Sequence, residues 1–256
     1  MSTETLKLEV QDYVATVTLD RPPVNAMNNR MREELIEAFD AISDREDVRV
    51  AILTGAGKTF CAGADLRDRP KTGAPGEYWR HNRVTRESTN TIRECQKPVI
   101  AAVNGAALGA GLALMAACDI FLASEEAMFG MPEINVGLAG GGTTLSTLFG
   151  RSRMRRMMFT GYRITAAEMY RLGVIESCVP RDQLMSEALA IAREIAEKSP
   201  VGIRFAKQSC NLVDLMPPRD AYRFEQGYTV ELSKTEDALE ARQAFLEKRK
   251  PVFKGR

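Results

Sequence analysis

Residues 99–119 read VIAAVNGAALGAGLALMAACD, and this stretch decides the fold. It opens with a short apolar run, Val99 to Val103, of the length typical of a buried strand. Asn104 and Gly105 mark a turn, and Ala110 to Ala117 then has the composition of a small-residue helix. The layout predicts a strand that delivers a helix N-terminus, where free N–H groups favour negative charge.

A second segment of small residues lies upstream, where residues 58–66 read KTFCAGADL. Small side chains at these positions allow a backbone to come very close to another group. Two such loops that present N–H donors are what an oxyanion hole requires, because donors fixed in advance need no reorganisation as charge develops. Tight packing at a strand–helix crossing is the simpler explanation of either segment taken alone.

The overall composition is that of an ordinary water-soluble globular chain. Its 256 residues suit one α/β domain, or one domain with an appendage, and 45% of them are hydrophobic. The formal net charge of +1 gives no electrostatic reason to expect nucleic acid or a membrane surface as a partner. No apolar run is long enough to span a bilayer, and the N-terminus lacks the apolar core of a signal peptide.

Cysteine usage favours a reducing compartment. The five cysteines are odd in number, widely spaced and without a CxxC pair. Reduced, buried thiols in a cytoplasmic protein are therefore expected.

The absence of several catalytic and cofactor-binding motifs restricts the kinds of reaction that this chain is expected to catalyse. The single histidine, His81, excludes HExxH and any site built from several histidines. No GxSxG elbow, Walker A loop or GxGxxG fingerprint is present. The chemistry is therefore expected to use carboxylates and backbone groups, with no metal and no cofactor.

Hydrophobic periodicity predicts a mixed α/β chain. Alternation over 6–10 and 13–19 predicts a β-hairpin, and Asn28 or Asn29 is expected to cap a helix that runs to about residue 44. Thr165 and Glu168 form the pattern of a capping box. Further strands are predicted at 48–53, 120–123 and 174–179, further helices at 77–96, 143–149, 154–160, 166–172 and 181–198, and a surface loop at 67–76.

The composition changes at Pro200, after which the chain reads as helical with a Pro217-Pro218 break and a basic end. The sequence therefore predicts a core at 1–198 and a C-terminal helical subdomain at 199–256. Amphipathic helices of this kind pack on their own core or on a sister subunit.

These segments together resemble the enoyl-CoA hydratase/isomerase (crotonase) family. The resemblance rests on RPPVNAM (21–27), the 60–66 and 104–111 segments, CDI (118–120), FGMPE (129–133) and the tail from Thr235 to Phe253. It implies a crotonase-like spiral of ββα units with the 199–256 helices used for trimerisation. It also implies trimers or dimers of trimers that act on acyl-CoA thioesters through an enolate.

The resemblance implies which residues carry the chemistry. The two oxyanion donors are expected to be the backbone N–H groups of Ala64 and Ala110, and the acid/base is expected to be Glu133. Hydratases of this family carry a second glutamate, and Ala113 occupies its position here. One carboxylate can move a single proton, so double-bond isomerisation by Glu133 is favoured over hydration.

The resemblance also implies a binding groove for CoA. The residues expected along the CoA and acyl groups are Ala26, Ala62, Asp65, Leu66, Arg67, Gly109 and Leu138. Phe245 and Lys248 match positions that reach the CoA of a neighbouring subunit, although Lys248 could equally be an ordinary charged helix end.

Other polar and aromatic residues have weaker claims to the site. His81 is kept as a second catalyst of low priority, since a lone histidine is more often a packing or surface residue. Tyr78 and Trp79 could shape the acyl pocket or belong to the core. Asp119 is interpreted as structural, Glu125 and Glu126 as a solvated turn, and Asp65 as a brace of its own loop.

Two alternatives to isomerisation remain open. The first is a hydratase or hydratase-lyase that acts on an activated or aromatic enoyl-CoA, which needs less help in holding water. The second is a non-catalytic acyl-CoA-binding homologue, against which the presence of Glu133 counts.

Overall fold

The computed structural model describes residues 3–70, 74–213 and 215–256. It begins with a hairpin of β1 (Leu6–Gln11) and β2 (Val14–Leu19), paired antiparallel as predicted. Helix α1 (Asn29–Asp44) follows, and the Asn28 side chain caps it by accepting a hydrogen bond from the Met31 N–H. The predicted hairpin and cap are therefore confirmed.

The larger sheet has six strands, of which all but β1 run parallel to their neighbours. Its order is β1-β2-β3-β5-β7-β10, with β3 at Val50–Gly55, β5 at Val99–Val103, β7 at Ile120–Ser124 and β10 at Ser177–Val179. Parallel sheets need cover on both faces, which explains the nearly continuous apolar runs of β3 and β5.

Two helices cover the two faces of this sheet. On one face, Leu35, Phe39 and Ile42 of α1 are fully buried with the inward residues of β2, β3 and β5. On the other face, Leu184 and Ala188 of α7 (Arg181–Ala196) pack against the alternate residues of the same strands. Each large apolar side chain buried in this way contributes roughly 1.5–3 kcal/mol.

A smaller sheet of four strands lies beside the first, in the order β4-β6-β8-β9. These strands have three residues each: β4 Thr59–Cys61, β6 Ala106–Leu108, β8 Met128–Gly130 and β9 Arg163–Thr165. The prediction that the 99–103 strand leads directly into the helix was wrong, because β6 comes between them. Three residues are too few to show a period of two, so the sequence did not reveal this sheet.

The connections give the repeated unit of the fold. Three strands of the larger sheet each lead to a short strand of the smaller sheet and then to a helix. The three units are β3–β4–α2, β5–β6–α3 and β7–β8–α4, where α2 is Glu77–Glu94, α3 is Ala110–Ala117 and α4 is Gly142–Leu148. The predicted α/β spiral of ββα units is therefore confirmed.

The remaining helices complete the chain. They are α5 (Arg151–Thr160), α6 (Ala166–Arg171), α8 (Pro200–Val213), α9 (Pro218–Leu232) and α10 (Glu236–Glu247). Thr165 caps α6 through the Glu168 N–H, but the Glu168 carboxylate binds Arg153 and Arg171 instead of returning to Thr165. Only half of the predicted capping box is formed, because two guanidinium groups compete for the carboxylate.

The predicted division of the chain into a core at 1–198 and a C-terminal helical subdomain at 199–256 stays a prediction.

The prediction of reduced, buried thiols holds for three of the five cysteines. Cys61, Cys95 and Cys118 are buried, Cys178 is half-buried and Cys210 is exposed, and all five are free. Burial raises the pKa of Cys61 to about 11, which keeps it protonated and inert.

Within the predicted 67–76 loop, residues 71–73 lie outside the described residues. Among the helices that the structure describes, none has both the length and the apolar character to cross a bilayer.

Candidate active site

The first oxyanion segment is the loop that follows β4, and its amide is presented by a short pairing with the chain near Met27. The Met27 N–H donates to the Gly63 carbonyl at 2.8 Å, and the Asp65 N–H donates to the Met27 carbonyl at 2.9 Å. Ala64 lies between these two bonds, so the pairing fixes its peptide without using its N–H. Ala64 is exposed.

The second segment is the start of α3, where the chain turns sharply at Gly109. Gly109 has φ +53°, a region that L side chains rarely adopt, and its N–H donates to the Gly130 carbonyl at 2.9 Å. The turn makes Ala110 the first residue of α3, so its N–H is one of the unpaired donors of the helix end. Ala110 is half-buried.

The small residues bring these two segments together. A Cβ on Gly63 would lie 3.1 Å from the Leu108 carbonyl oxygen and 3.9 Å from the Ala110 nitrogen. A Cβ on Gly111 would collide with the Cys61 carbonyl oxygen. The small residues therefore do allow the two segments to pack closely. This packing also brings the backbone N–H groups of Ala64 and Ala110 near each other. Within 3–70, 74–213 and 215–256, neither the Ala64 nor the Ala110 N–H has a hydrogen-bond acceptor.

The Glu133 carboxylate lies against this same turn. A Cβ on Gly109 would collide with Glu133 Oε1, so the carboxylate contacts the residue that precedes Ala110. Its Oε2 is buried and has no hydrogen-bond partner in the described part of the chain. Burial raises the pKa of Glu133, while a bond to its own backbone N–H opposes that rise. A buried carboxylate with a bare oxygen and a raised pKa is suited to proton transfer.

In the described part of the chain, no second carboxylate acts on Glu133. No other charged side chain among the described residues contributes to the shift of its pKa. Ala113, in the first turn of α3, donates its N–H to the Gly109 carbonyl at 3.0 Å and brings only a methyl group. The site therefore combines two free amides with one carboxylate.

The comparisons with known proteins identify the family. A sequence model described as enoyl-CoA hydratase/isomerase matches residues 9–256. The chain belongs to the enoyl-CoA hydratase/isomerase family. The structure of an enoyl-CoA hydratase from Bacillus anthracis superposes with a TM-score of 0.92 at 35% identity, covering 99% of this chain and 100% of that one.

Curated relatives within the family carry different activities. The chain is 39% identical to the (7aS)-7a-methyl-1,5-dioxo-2,3,5,6,7,7a-hexahydro-1H-indene-carboxyl-CoA hydrolase of Mycobacterium tuberculosis, over 92% of this chain and 95% of the relative. It is 34% identical to a probable mitochondrial enoyl-CoA hydratase of Dictyostelium discoideum, over 96% of this chain and 89% of that protein. The chain is therefore an acyl-CoA enzyme of this family.

A guanidinium clamp that the sequence reasoning missed holds the loop beside Ala64. Arg21 donates to the Ala26 carbonyl at 2.7 Å and to the Asp65 carboxylate at 2.9 Å. Arg67 binds the same carboxylate through its backbone N–H, Nε and a terminal nitrogen, each at 3.1 Å. These bonds, with that from the Arg67 side chain first, hold the pKa of Asp65 well below its usual range. Asp65 therefore braces the loop, as predicted.

The clamp also places other residues predicted to line the CoA groove. The Ala62 N–H donates to the Val24 carbonyl at 3.1 Å, so the 21–27 turn and the 60–67 loop are directly joined. Leu66 is 52% exposed and the Arg67 side chain 86% exposed, so both can contact a ligand. Arginine at position 21 is part of the RPP motif, which could have pointed to this clamp.

Two further residues that were not singled out shape the same region. The Asn25 side-chain amide donates to the carbonyls of Ala56, Thr59 and Phe60 at 3.0, 2.7 and 3.2 Å. The Asn104 side chain accepts from the Gly55 N–H and donates to the Gly57 carbonyl. Both asparagines fix the ends of β3 and β4. For Asn104, the available signal was a polar residue directly after the apolar strand β5.

Of the other predicted site residues, Leu138 bonds to Glu133, whereas Phe245 and Lys248 belong to the end of α10. Leu138 is half-buried, and its N–H donates to the Glu133 carbonyl at 3.0 Å. Phe245 is 83% exposed on α10, and Lys248 forms the left-handed C-cap of that helix. No hydrogen bond or ion pair in the described part of the chain joins Lys248 to the site, so a role at a neighbouring subunit's CoA stays a prediction.

His81 and the nearby aromatic residues are not gathered around Glu133. Burial lowers the pKa of His81, and the charges that act on it come from Arg32, Arg69 and Asp68. Trp79 is 81% exposed, and the Tyr78 hydroxyl donates to the Pro70 carbonyl at 3.2 Å. Neither aromatic side chain belongs to the core of this chain.

The remaining carboxylates have structural roles. Asp119 accepts from the Val99 N–H at 2.7 Å and pairs with Lys207 at 2.8 Å. Glu125 and Glu126 are exposed, and Glu126 pairs with Arg181. Among the described residues, no group of three or more potential ligands is placed to hold a metal ion.

Proposed function

We propose that this acyl-CoA enzyme holds a thioester enolate between the Ala64 and Ala110 amides and moves protons with Glu133 alone. The observation that carries the proposal is the contact of Glu133 with Gly109, which places the buried carboxylate one residue from a free amide donor. Removal of one such donor from an oxyanion hole typically costs about 2.7–4 kcal/mol of transition-state stabilisation.

Isomerisation of a double bond needs no more than these groups. Glu133 takes a proton from Cα of a 3-enoyl-CoA, and the electron pair of that C–H bond becomes the enolate. The double bond then moves to the 2,3 position as the protonated Glu133 returns the proton at Cγ. One carboxylate suffices because the same proton leaves and returns, and general acid–base catalysis of this kind contributes roughly 10²–10⁴ in rate.

Hydrolysis of a keto-substituted acyl-CoA is the second candidate. The observation that favours it is the 39% identity to a relative whose name includes two oxo groups and a hydrolase activity. Glu133 would take a proton from water, and the hydroxide would add to a ketone carbon β to the thioester. The Cα–Cβ bond then breaks, its electron pair becomes the thioester enolate, and Glu133 returns the proton to Cα. This route also needs one carboxylate.

Hydration of a 2-enoyl-CoA fits the site less well. Water must be oriented over Cβ, and two acceptors fix it better than one. Ala113 offers no second acceptor. A hydratase or hydratase-lyase acting on an activated or aromatic substrate is the form of hydration that one carboxylate would serve.

Product analysis with three substrate classes separates these reactions. Purified enzyme is incubated with a 3-enoyl-CoA, a 2-enoyl-CoA and a 3-oxoacyl-CoA, and products are identified by mass spectrometry and absorbance. We expect turnover of the 3-enoyl-CoA to the 2-enoyl isomer, or cleavage of the 3-oxoacyl-CoA, each faster than hydration. Fast hydration of crotonyl-CoA without the other two reactions would contradict the one-carboxylate proposal.

Substitution of the acid/base tests the residue assignment. Glu133→Gln is expected to lower turnover by about a hundredfold or more while acyl-CoA affinity is retained, because the amide cannot accept the proton. Glu125→Gln, an exposed carboxylate on the preceding turn, serves as the matched control. Unchanged turnover in Glu133→Gln would remove Glu133 from the mechanism, whereas acyl-CoA binding without turnover in the wild type would favour a non-catalytic acyl-CoA-binding protein.

Assembly and location belong to the same proposal. A trimer or dimer of trimers would allow Phe245 and Lys248 to reach a neighbour's CoA, and the high exposure of Phe245 supports this. A cytoplasmic location is proposed from the free thiols, whereas the Dictyostelium relative is named as mitochondrial.

A further inference from the structure

A second cleft lies at the end of the large sheet opposite the candidate active site. Its volume is about 680 Å³. Arg49 and Lys97 line it just before β3 and β5 begin, whereas Ala64 and Ala110 follow the other ends of those strands. The first turns of α8 and the C-terminal tail at 253–256 close the cleft.

Three half-buried cations face this cleft without a carboxylate partner. Arg49 donates to the Ala196 carbonyl at 2.7 Å, and its guanidinium lies 4.3 Å from the centre of the Tyr13 ring. Lys97 and Arg204 form no ion pair with any described residue, and the Lys97 ammonium donates no hydrogen bond to one. Positive charge that is partly withdrawn from water and left unpaired is costly, so it normally has a counter-charge.

The carboxylates that line the cleft supply only part of that counter-charge, since Glu46 and Asp44 act on Lys97 without offsetting the effect of its burial. Asp44 and Glu46 line it, but both are exposed and neither forms an ion pair with these three cations. The other cations at the rim are already paired with exposed carboxylates: Arg45 with Asp47, and Lys254 and Arg256 with Glu236.

Two further features describe the electrostatics of the cleft. Burial lowers the pKa of Lys97 and the nearby charge of Arg204 also lowers it, while Cys95, Glu46 and Asp44 act to raise it, so the lysine is short of negative charge for its burial. Helix α8 begins at Pro200, so the positive end of a 14-residue helix meets the same space. A bound anion would relieve the repulsion between the two cations and bridge α8 to the sheet.

From this convergence we propose that the cleft binds a small phosphate-bearing anion, held by Arg49, Lys97 and Arg204. The site is separate from the acyl-CoA site, and its ligand is a phosphorylated small molecule of a few charges. The rings of Tyr13 and Phe253, which also line the cleft, offer surfaces to the organic part of such a molecule.

The test is calorimetric titration of the full chain with inorganic pyrophosphate at physiological ionic strength. We expect saturable binding of one pyrophosphate per chain. Lys97→Met and Arg204→Gln should each weaken it by about tenfold, since each removes a charge-assisted contact. Thermal unfolding of each variant without ligand shows whether it is folded, and Arg204→Gln provides a second test on a helix surface if Lys97→Met does not fold.

Two controls distinguish this site from other sources of binding. Lys234→Met removes an exposed lysine that does not line the cleft and should leave pyrophosphate affinity unchanged. Arg67→Ala should also leave it unchanged, because Arg67 belongs to the predicted CoA groove. Loss of binding in Arg67→Ala, equal weakening in Lys234→Met, or no saturable binding at millimolar pyrophosphate would each overturn the proposal.

Discussion

At the scale of single residues, Gly109 leaves the space that the Glu133 carboxylate occupies. Gly109→Ala is expected to displace Glu133 and lower turnover, because the new Cβ collides with Oε1. The substitution should also cost about 1–3 kcal/mol of stability from strain at φ +53°. Turnover and urea unfolding measure the two effects.

Gly57→Ala is the matched control for this substitution. Gly57 also has a positive φ, +71°, but nothing lies within 4 Å of its Cβ position. It should lose stability by a comparable amount and keep full turnover. Equal loss of turnover in both variants would mean that backbone strain, and not contact with Glu133, explains the result.

The protonation of Glu133 sets the expected pH dependence. Its pKa is raised by burial, so the acidic limb of kcat/KM should lie above the ordinary glutamate value of about 4.3. A raised pKa also means that the folded state binds this proton more tightly than the unfolded state. The associated stability is fully present below the unfolded pKa and is lost as pH rises through the folded pKa.

Glu133→Gln should therefore gain stability relative to wild type as pH rises from acidic to neutral. Thermal unfolding of the two proteins across this pH range checks the sign. An acidic limb at or below the ordinary glutamate value, or a stability difference that is independent of pH, would contradict a desolvated carboxylate.

Glu133, Ala64 and Ala110 could be singled out from the sequence because their segments resemble those of the family, and their roles stay proposals. The sequence could not predict the contact between Glu133 and Gly109, since these residues are 24 positions apart and meet only through β8 and β6. The Arg21 clamp on Asp65 was missed for the same reason. Contacts between distant segments depend on sheet order, which local patterns do not encode.

At the scale of elements, helix α8 is tied to the core through one buried lysine. Lys207 donates to the Ile92 and Lys97 carbonyls and pairs with Asp119, and its side chain is 4% exposed. Lys207→Met should lower the free energy of unfolding by about 2–4 kcal/mol, because Asp119 and two carbonyls lose their partner.

Urea unfolding measures this cost against an exposed lysine. Lys234→Met removes a surface ion pair whose lysine is 62% exposed, and it should change stability by about 0.5 kcal/mol or less. A cost for Lys207→Met as small as that of the control would show that this buried lysine contributes little to holding α8 against the core.

The prediction of helices and strands succeeded where the segment was long enough to show a hydrophobic period. The α1 helix and the β1–β2 hairpin each span enough residues for the 3.6 or 2.0 period to be visible, and both were correct. The strands of the smaller sheet, such as β6 at Ala106–Leu108, are too short to show a period. The sequence therefore predicts no strand at these positions.

At the scale of the whole molecule, the predicted assembly places Phe245 of one chain at the CoA of another. Co-expression of Glu133→Gln and Phe245→Ala chains tests this arrangement. In mixed oligomers some sites would combine an intact Glu133 with an intact Phe245 from the neighbour, so activity should exceed that of either variant alone.

Sedimentation of the wild-type enzyme provides the companion measurement. A trimer or dimer of trimers of the 28.3 kDa chain is expected. A monomer in solution, or mixed oligomers with no gain of activity, would confine the whole site to one chain.

The central claim is that two backbone amides, brought together by small residues, hold the thioester oxygen while Glu133 moves a proton. A crystal structure with an unreactive acyl-CoA tests it most directly. The thioester oxygen should lie about 2.7–3.2 Å from the nitrogens of both Ala64 and Ala110, with the Glu133 carboxylate facing Cα. A well-ordered ligand whose carbonyl points away from both amides would contradict the account.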